Sequence, residues 1–436
     1  MTGGEAAEGP REPAEAARSL AAIRREAVFT ATMSGLTDPF VIPYALALGA
    51  TSFHAGLLSS LRNLLISLVQ LKAVDAVRLL GSRRKLVLWC VGIQAALWLP
   101  LAFVGPLFGT GAVEGLILLF TLASASAALT VPAWGSLVAE YLPDPDRGRM
   151  LGGLARLVGL QTTFSGLIAG GLLQLMQRRP LVAFAMLCLA AAVSRSLAWR
   201  AIARLHEEPW QDSPALRFSF WKFIRQVRRS NFARFSLCLG GLSFATHMAA
   251  PFFAVYMLQE LHYGYLLYTT IILSGSVTGS LASAWWGRTA DRLGSQAILR
   301  WTCVGVSALP ALWLLSGDGR WVMAMNVFGA FLWSGLNLCT VNFLYDAVSA
   351  PKRHTCLAYF NVVHGLGVSA GAFVGGWLVD ALPPSPWFST RRRPSGWRRR
   401  SPSGASCGRY ARSVASTSAR SSSTSSGSGS SRSSAP

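Results

Sequence analysis

Hydrophobic residues in this sequence come in long stretches that short polar connections separate. Each stretch is about twenty residues or longer, the helix length that crosses a ~30 Å hydrocarbon core. The pattern therefore predicts an all-α membrane protein with about eleven transmembrane helices. The predicted segments are 27–49, 53–75, 86–106, 112–138, 150–177, 181–204, 231–258, 264–286, 297–316, 320–345 and 354–382.

Positive charge alternates between successive connections and predicts the orientation. The connections after the even-numbered segments are rich in Lys and Arg, whereas the others carry few, with Arg178, Arg179 and Arg320 as exceptions. Cytoplasmic loops of membrane proteins carry the excess of Lys and Arg. We therefore expect a multi-pass protein of the cell (inner) membrane with a cytoplasmic N-terminus and cytoplasmic even-numbered connections.

Composition strengthens the membrane assignment and narrows the chemistry. Only 14% of the residues are charged, against about 25% in soluble proteins. The net charge of +21 lies in the connections and the C-terminal tail, so we interpret it as a topology signal and expect no nucleic-acid partner. The seven cysteines show no paired or metal-binding spacing and are expected to be small core residues. We expect no metal and no cofactor.

The longest cytoplasmic connection divides the chain into two unequal parts, and the C-terminal end breaks the pattern. The last 48 residues contain 18 Ser, 10 Arg and no Asp or Glu, so they cannot form a twelfth spanning helix. A low-complexity functional tail is one interpretation, and an aberrant, frameshifted end is the other. The predicted parts are a cytoplasmic segment 1–26, a six-helix bundle 27–204, a cytoplasmic loop 205–230, a five-helix bundle 231–385 and a disordered tail 386–436.

Two cytoplasmic connections repeat one pattern, six crossings apart. Glu140 and Arg147 are separated by six residues after segment 4, and Asp346 and Arg353 have the same spacing after segment 10. The helices that follow also share a glycine pattern: Gly166, Gly170 and Gly171 match Gly371, Gly375 and Gly376. A repeat at this distance predicts two similar six-helix halves, of which the second lacks its last helix.

The connection between segments 8 and 9 carries a recognisable motif. Gly287, Asp291, Arg292 and Gly294 resemble the G-x-x-x-D-R-x-G loop signature of the major facilitator superfamily. The resemblance covers about residues 25–385 and is nearest to the uncharacterised bacterial branch. It implies two pseudo-symmetric six-helix bundles around a cavity. It also implies transport of a sugar, drug, metabolite or peptide by alternating access, often with proton coupling.

The corresponding connection between segments 2 and 3 holds a degraded copy of the signature, with Asp75, Arg78 and Gly81 at altered spacing. Acids and arginines at these helix ends can pair when the halves close on the cytoplasmic side and separate when they part. Ordinary solvated loop charge is the alternative interpretation. The predicted gate comprises Asp75, Arg83, Glu140 and Arg147 in the first half, and Gly287, Asp291, Arg292, Gly294, Asp346 and Arg353 in the second.

Two opposite charges are predicted at the same membrane depth. Asp38 lies roughly 15 Å along segment 1 and Arg62 roughly 14 Å along segment 2, at 1.5 Å per residue. Pro39 and Pro43 follow the acid and predict a kinked, cavity-lining helix. Because a charge at this depth is costly without a partner or water, we expect a pair that contacts substrate or protons. A helix-bend residue and a structural ion pair are the alternatives.

Further polar residues at mid-membrane depth are weaker candidates for the pathway. His364 lies roughly 15 Å into segment 11, near Asn361, and an imidazole can titrate in the physiological range. Hydrogen-bonded core histidine is the alternative interpretation. The weaker candidates for the substrate or proton pathway are His247, Trp333, Asn337, Gln161 and Trp134.

Other charged and small residues have simpler expectations. Arg156 and Arg195 lie nearer the cytoplasmic ends and are expected to snorkel towards the headgroups. The G-x-x-x-G runs Gly166–Gly170 and Gly371–Gly375 are expected to pack helices inside a monomer rather than to form a dimer.

The residues support a secondary transporter and offer no chemistry for an enzyme. We find no Walker loop and no nucleophile triad. The leading hypothesis is a transporter of a small molecule in the lipid bilayer, with protons as a candidate coupling ion. The alternative is a family member that does not transport, either decayed and lacking its twelfth helix or acting as a membrane sensor.

Overall fold

The computed structural model describes residues 13–141, 147–207, 231–347 and 353–381. These residues contain helices and turns and no strand. Eleven long helices follow in order: α1 Pro13–Thr37, α2 Ser52–Gln70, α3 Arg83–Ala102, α4 Ala112–Glu140, α5 Arg147–Leu175, α6 Pro180–Ile202, α7 Asn231–His247, α8 Tyr265–Leu293, α9 Ser295–Trp313, α10 Gly319–Ala347 and α11 Arg353–Ala381. The number predicted from the hydrophobic pattern is thus confirmed for the described residues.

Shorter helical turns extend or connect several of these helices. A 3₁₀ turn, Asp38–Phe40, and a helix, Val41–Ala47, continue α1, and Ala73–Leu80 follows α2. The helix Phe252–Val255 and a π-helical turn, Tyr256–Glu260, continue α7. Val104–Phe108 and the 3₁₀ turn Gly109–Gly111 precede α4.

Seven of the helices, taken with their extensions, are long and apolar enough to cross a membrane: α3, α4, α6, α7, α8, α10 and α11. The other four fall below that standard because they are shorter or carry more polar residues. The largest difference from the predicted boundaries is in α1, which begins at Pro13 rather than near residue 27. Proline is favoured in a first helical turn, and the Ala, Glu and Arg that follow are good helix formers.

Helix packing follows a two-fold pattern. In the first half α1 packs on α5, α2 on α4 and α3 on α4; in the second half α7 packs on α11, α8 on α10 and α9 on α10. Each pair of the second half equals a pair of the first half shifted by six helices. The exception is α6, which packs on α1 and α3 and has no counterpart among the described helices. The predicted pair of pseudo-symmetric bundles is therefore present.

Two helix pairs join the halves: α2 with α11, and α5 with α8. The two pairs are equivalent, because α2 corresponds to α8 and α5 corresponds to α11 in the two-fold pattern. Small residues bring the first pair close, since a Cβ on Gly56 would lie against Ala372 and Gly376. Gly170 faces Thr269 in the second pair. Close backbone approach of this kind drives helix association in lipid.

The predicted glycine runs pack inside the chain. Gly166 and Gly170 of α5 face α8, whereas Gly371 and Gly375 of α11 face the backbone of α7. Both runs thus stabilise contacts within one chain, as expected.

The contacts between the halves lie away from the basic end, by which we mean the helix ends that carry the connections after α2, α4, α6, α8 and α10. Phe53 and Phe373 contact edge to face, with ring centroids 6.3 Å apart. The Ser369 hydroxyl donates to the Ser60 carbonyl over 2.9 Å. Near the basic end of α5, by contrast, a Cβ on Gly152 or Gly153 would meet no atom within 4 Å. Among the described residues these contacts join the halves on the side opposite the basic end, and the approach of Gly365 to Ser67 in the last turn of α2 extends the contact further along α2.

Candidate functional site

The predicted charged pair is in contact. An Arg62 Nη atom lies 3.9 Å from an Asp38 carboxylate oxygen. Arg62 Nε also donates to Ser124 Oγ over 3.2 Å, and its guanidinium lies 5.2 Å from the centre of the Phe120 ring. The side chains of Arg62 and Asp38 are 37% and 46% exposed, so the pair adjoins space that water can enter.

A break in α1 positions Asp38 and links it to the other half. Thr37 and Asp38 stand where the α-helix changes to a 3₁₀ turn that has Pro39 in its first positions. Proline lacks an N–H and interrupts the helical hydrogen-bond ladder. The Pro39 carbonyl accepts a hydrogen bond of 2.7 Å from the Tyr268 hydroxyl of α8, and the Phe40 and Tyr268 rings lie 6.4 Å apart. A movement of α8 against α1 would therefore act next to the carboxylate.

A cavity of about 900 Å³ lies in the second half, bounded by α7, α8, α9 and α10. Two of the predicted pathway residues line it, Trp333 and Asn337. Its described lining includes neither Asp38 nor Arg62, and neither His247, His364 nor Asn361. The charged pair and the cavity are thus two separate features.

The two predicted histidines lie on packed helices, α7 and α11. His247 Nδ1 is 2.9 Å from the Ser243 carbonyl oxygen and 3.3 Å from the Thr246 hydroxyl. The His364 ring lies 5.8 Å from that of Phe360, tilted by 32°. Asn361 is exposed.

The charges at the basic end of the first half converge on Arg83. Its guanidinium pairs with the Glu140 carboxylate at the end of α4 and, over 3.4 Å, with Glu207 beyond α6. Glu207 also accepts from the Ser82 hydroxyl and from the backbone N–H groups of Arg83 and Arg84. A carboxylate at this helix end satisfies otherwise unpaired N–H groups and the positive end of the helix dipole.

This cluster, which we call the Arg83 cluster, comprises Ser82, Arg83, Glu140 and Glu207. It joins α3, α4 and the end of α6 within one half. Asp75, which was predicted to belong to it, instead contacts Lys72 over 3.4 Å on an exposed surface. Arg147 begins α5, and its side chain lies outside the described residues.

Comparison with known proteins decides the family. The chain matches the model of the Major Facilitator Superfamily over residues 27–372. The chain belongs to the major facilitator superfamily. It is therefore a multi-pass membrane protein of a transporter family.

Relatives agree with this assignment. The class B tetracycline resistance protein of Escherichia coli is 24% identical over 127 residues, which span 29% of this chain and 30% of that protein. The match thus covers about a third of that relative's length. A variant of the nucleoside transporter NupG gives a TM-score of 0.67 at 14% identity, covering 83% of this chain and 91% of that one. A bacterial homologue of human Spinster, inward-facing and unoccupied, gives 0.64 at 16% identity, covering 85% and 84%.

The superfamily signature lies at the junction of α8 and α9. Asp291 and Arg292 are exposed at the end of α8, and Gly287 lies one to two turns earlier. Gly294 has φ +80° and Gly81, at the matching place before α3, has φ +64°. Glycine reaches this region without a Cβ clash, so both connections need it. Asp346 and Arg353 lie in α10 and α11, but their side chains are outside the described residues.

Two features of the first half were not predicted. Arg195, which was expected to snorkel, is instead 4% exposed and lies 3.6 Å from the Glu26 carboxylate, itself buried. Thr30 donates to Glu26 over 2.6 Å and accepts from Arg195. The pair could be found only by noting that α1 begins well before residue 27, which places Glu26 within a helix. Glu207 was missed because only the cations of that connection were considered.

The cysteine expectation holds for most of the described positions. Cys90, Cys188 and Cys339 are buried, and Cys303 and Cys356 are partly buried. Cys238 is exposed, so the expectation of a core position was wrong there.

Proposed function

We propose that the chain is a secondary active transporter that moves a small molecule across the cell (inner) membrane by alternating access. Protons are the candidate coupling ion, the N-terminus is cytoplasmic, and the working unit is a monomer. The observation that carries the proposal is the packing between the halves. Among the described residues two interchangeable helix pairs, α2 with α11 and α5 with α8, join the halves, and Gly152 and Gly153 near the basic end of α5 meet no neighbouring atom.

Such an arrangement supports alternating access because two rigid bundles can rock about the joined region. Under the predicted topology the basic end is cytoplasmic, and the conformation described here is open towards the cytoplasm. The Arg83 cluster would keep the basic end of the first half rigid during that movement. Asp291, Arg292, Asp346 and Arg353 are proposed to close this end in the opposite conformation.

Asp38 and Arg62 are proposed to contact the substrate or a proton. Their contact is long, both side chains are accessible, and the break in α1 beside them connects to α8. Two opposite charges at the same membrane depth stabilise each other, whereas replacing one of them leaves the other charge without a partner at a free-energy cost.

The test compares metabolites in cells that express the chain, Asp38→Asn, Arg62→Gln or the double variant. We expect at least one small molecule to be accumulated or depleted relative to cells without the chain, and each single variant to reduce this difference at least as strongly as the double variant. Unchanged metabolites at full expression would favour the non-transporting alternative. Activity equal to the parent in all three variants would leave the pair architectural.

The topology has an independent test. Gln177→Cys lies between α5 and α6, and Arg204→Cys lies after α6, at exposed positions on opposite ends of the bundle. In intact cells, and in a chain whose native cysteines are replaced because Cys238 is exposed, a membrane-impermeant maleimide should label Gln177→Cys and not Arg204→Cys. The reverse labelling would place the basic end outside.

A further inference from the structure

We infer that the cavity among α7, α8, α9 and α10 binds an uncharged small molecule that combines several hydrogen-bonding groups with a flat apolar face. The inference rests on the proposed function in one respect: if the chain is a transporter, this ligand is the molecule that it transports. The cavity has a volume of about 900 Å³, which is within the range of small-molecule pockets. The lining residues come from the second half alone.

Charge is the first criterion for the ligand. None of the described residues that line the cavity is Asp, Glu, Lys, Arg or His. An ion that left water for this space would lose hydration without gaining an opposite charge, at a cost of several kcal/mol. The cavity therefore selects against ionised molecules.

Free hydrogen-bonding groups are the second criterion. Ser276 and Ser280 on α8 and Trp333 and Asn337 on α10 line the cavity, and each pair is four residues apart, which places both members on one helix face. Ser280 already donates to the Ser276 carbonyl. Among the described residues no hydrogen bond involves the Ser276 hydroxyl, the Trp333 indole N–H or the Asn337 amide, so these groups are available to a ligand.

Other polar lining groups are already satisfied and shape the wall. Asn326 donates to the Ile271 carbonyl over 2.6 Å, and Ser334 donates to the Gly279 carbonyl over 2.9 Å. These bonds tie α10 to α8 and preorganise the free groups.

A flat apolar surface is the third criterion. Phe253 of α7 and Trp313 of α9 are stacked in the lining, with ring centroids 4.2 Å apart and planes at 29°. The Trp313 ring is 5% exposed and stacked on Phe253, so the rings of Phe253 and Trp333 supply the aromatic faces, and aromatic pairs are favoured beyond simple area burial. A ligand with a ring and hydroxyl or amide groups would use both kinds of wall.

Three probes test these criteria one at a time. Phenyl β-glucopyranoside has a ring and neutral hydroxyls, methyl β-glucopyranoside lacks the ring, and phenyl β-glucuronide carries a carboxylate. Binding to the purified full chain in detergent is measured by calorimetry at neutral pH. We expect phenyl glucoside to bind and the other two to bind at least about tenfold more weakly, a factor of ten being 1.4 kcal/mol.

Variants locate the binding. Trp333→Ala and Asn337→Leu should each weaken phenyl glucoside binding at least about fivefold, the loss of one stacking or hydrogen-bonding contact. Trp301→Ala, at a 77% exposed position on α9, is the matched control and should bind like the parent. Thermal unfolding of each variant shows that it is folded, and Asn337→Leu keeps the test valid if Trp333→Ala does not fold.

The proposal is overturned if the glucuronide binds as tightly as the glucoside, if no probe binds, or if Trp301→Ala weakens binding as much as Trp333→Ala. Binding without any transport would support this site and remove the proposed function. Transport that depends on Asp38 without binding here would do the reverse.

Discussion

The space among α1, α3, α4 and α6 in the first half is nearly filled, whereas the space among α7, α8, α9 and α10 in the second half is open. The space enclosed by all four helices of the first group holds a cavity of about 20 Å³, and that of the second group one of about 900 Å³; a further cavity of about 530 Å³ in the first half is lined by α3 and α6 alone. Trp98, Phe120, Phe184 and Leu187 line the small cavity. The last two belong to α6, which has no counterpart among the described helices.

The halves also differ in charge: the first half holds ion pairs, whereas the cavity of the second half has a neutral lining. The ion pairs that join two described residues lie in the first half and include Glu26 with Arg195, Asp38 with Arg62, and the Arg83 cluster. The described lining of the second-half cavity is neutral and rich in Ser and Asn. One repeated helix arrangement thus carries two chemistries: internal charge pairs in one half and a neutral binding space in the other.

Breaking the buried pair should have the largest effect on stability. Arg195→Met would leave Glu26 buried without a partner, which costs roughly 3–5 kcal/mol. Arg200→Met, on the exposed face of the same helix, should change stability by less than about 0.5 kcal/mol. Chemical unfolding in detergent measures both. Adding Glu26→Gln to Arg195→Met should recover part of the loss, whereas equal stability of Arg195→Met and Arg200→Met would show that the pair has no structural role.

Adding volume should distinguish the filled half from the open one. Thr37→Phe would overpack the small cavity of the first half, at a cost of about 1–3 kcal/mol. Ser280→Phe would project into the open cavity and should cost less than about 0.5 kcal/mol while abolishing phenyl glucoside binding. Equal destabilisation by both variants in thermal unfolding would show that the space around Ser280 is packed as tightly as the space around Thr37.

Removing the carboxylate of the Arg83 cluster should have an intermediate, local effect. Glu207→Ala leaves backbone N–H groups at the start of α3 without their acceptor, at a cost of about 1–3 kcal/mol. Hydrogen exchange should accelerate in residues 83–86 and stay unchanged at the start of α9. Unchanged exchange at α3 would mean that water replaces the carboxylate without cost.

The central pair should contribute least to stability. Asp38 and Arg62 are 3.9 Å apart and accessible, and such pairs stabilise proteins by less than about 1 kcal/mol. Asp38→Asn should therefore destabilise the chain much less than Arg195→Met even where the transport difference is lost, because water can reach the Arg62 side chain that it leaves without a partner. A loss of stability comparable with that of Arg195→Met would indicate an architectural pair instead.

Much of the architecture could be predicted because hydrophobic length and loop charge are local signals. Eleven helices, the two-half repeat and the contact of Asp38 with Arg62 follow from period, spacing and depth along single helices. The glycine spacing in α5 and α11 also predicted close packing. It did not predict the partners, which are α8 for α5 and α7 for α11.

The parts that could not be predicted depend on contacts between distant segments. Arg195 meets Glu26 only because α6 packs on α1, and Glu207 reaches Arg83 across more than a hundred residues. The neutral cavity was equally hidden, since Ser276 on α8, Phe253 on α7 and Asn337 on α10 are ordinary residues in their own segments. Only the fold brings them to one space.

The central claim is that the halves move as two bodies and open at one end of the bundle while they close at the other. Distance measurements between spin labels test this claim most directly. One pair, Gly153→Cys with Arg288→Cys, spans the basic ends of α5 and α8; the other, Gln177→Cys with Leu266→Cys, spans their opposite ends. Both are placed in the full chain after replacement of the native cysteines, since Cys238 is exposed. We predict two distance populations for each pair in liposomes, with the long distance of one accompanying the short distance of the other as pH shifts their proportions. A single unchanged distance in both pairs would contradict alternating access.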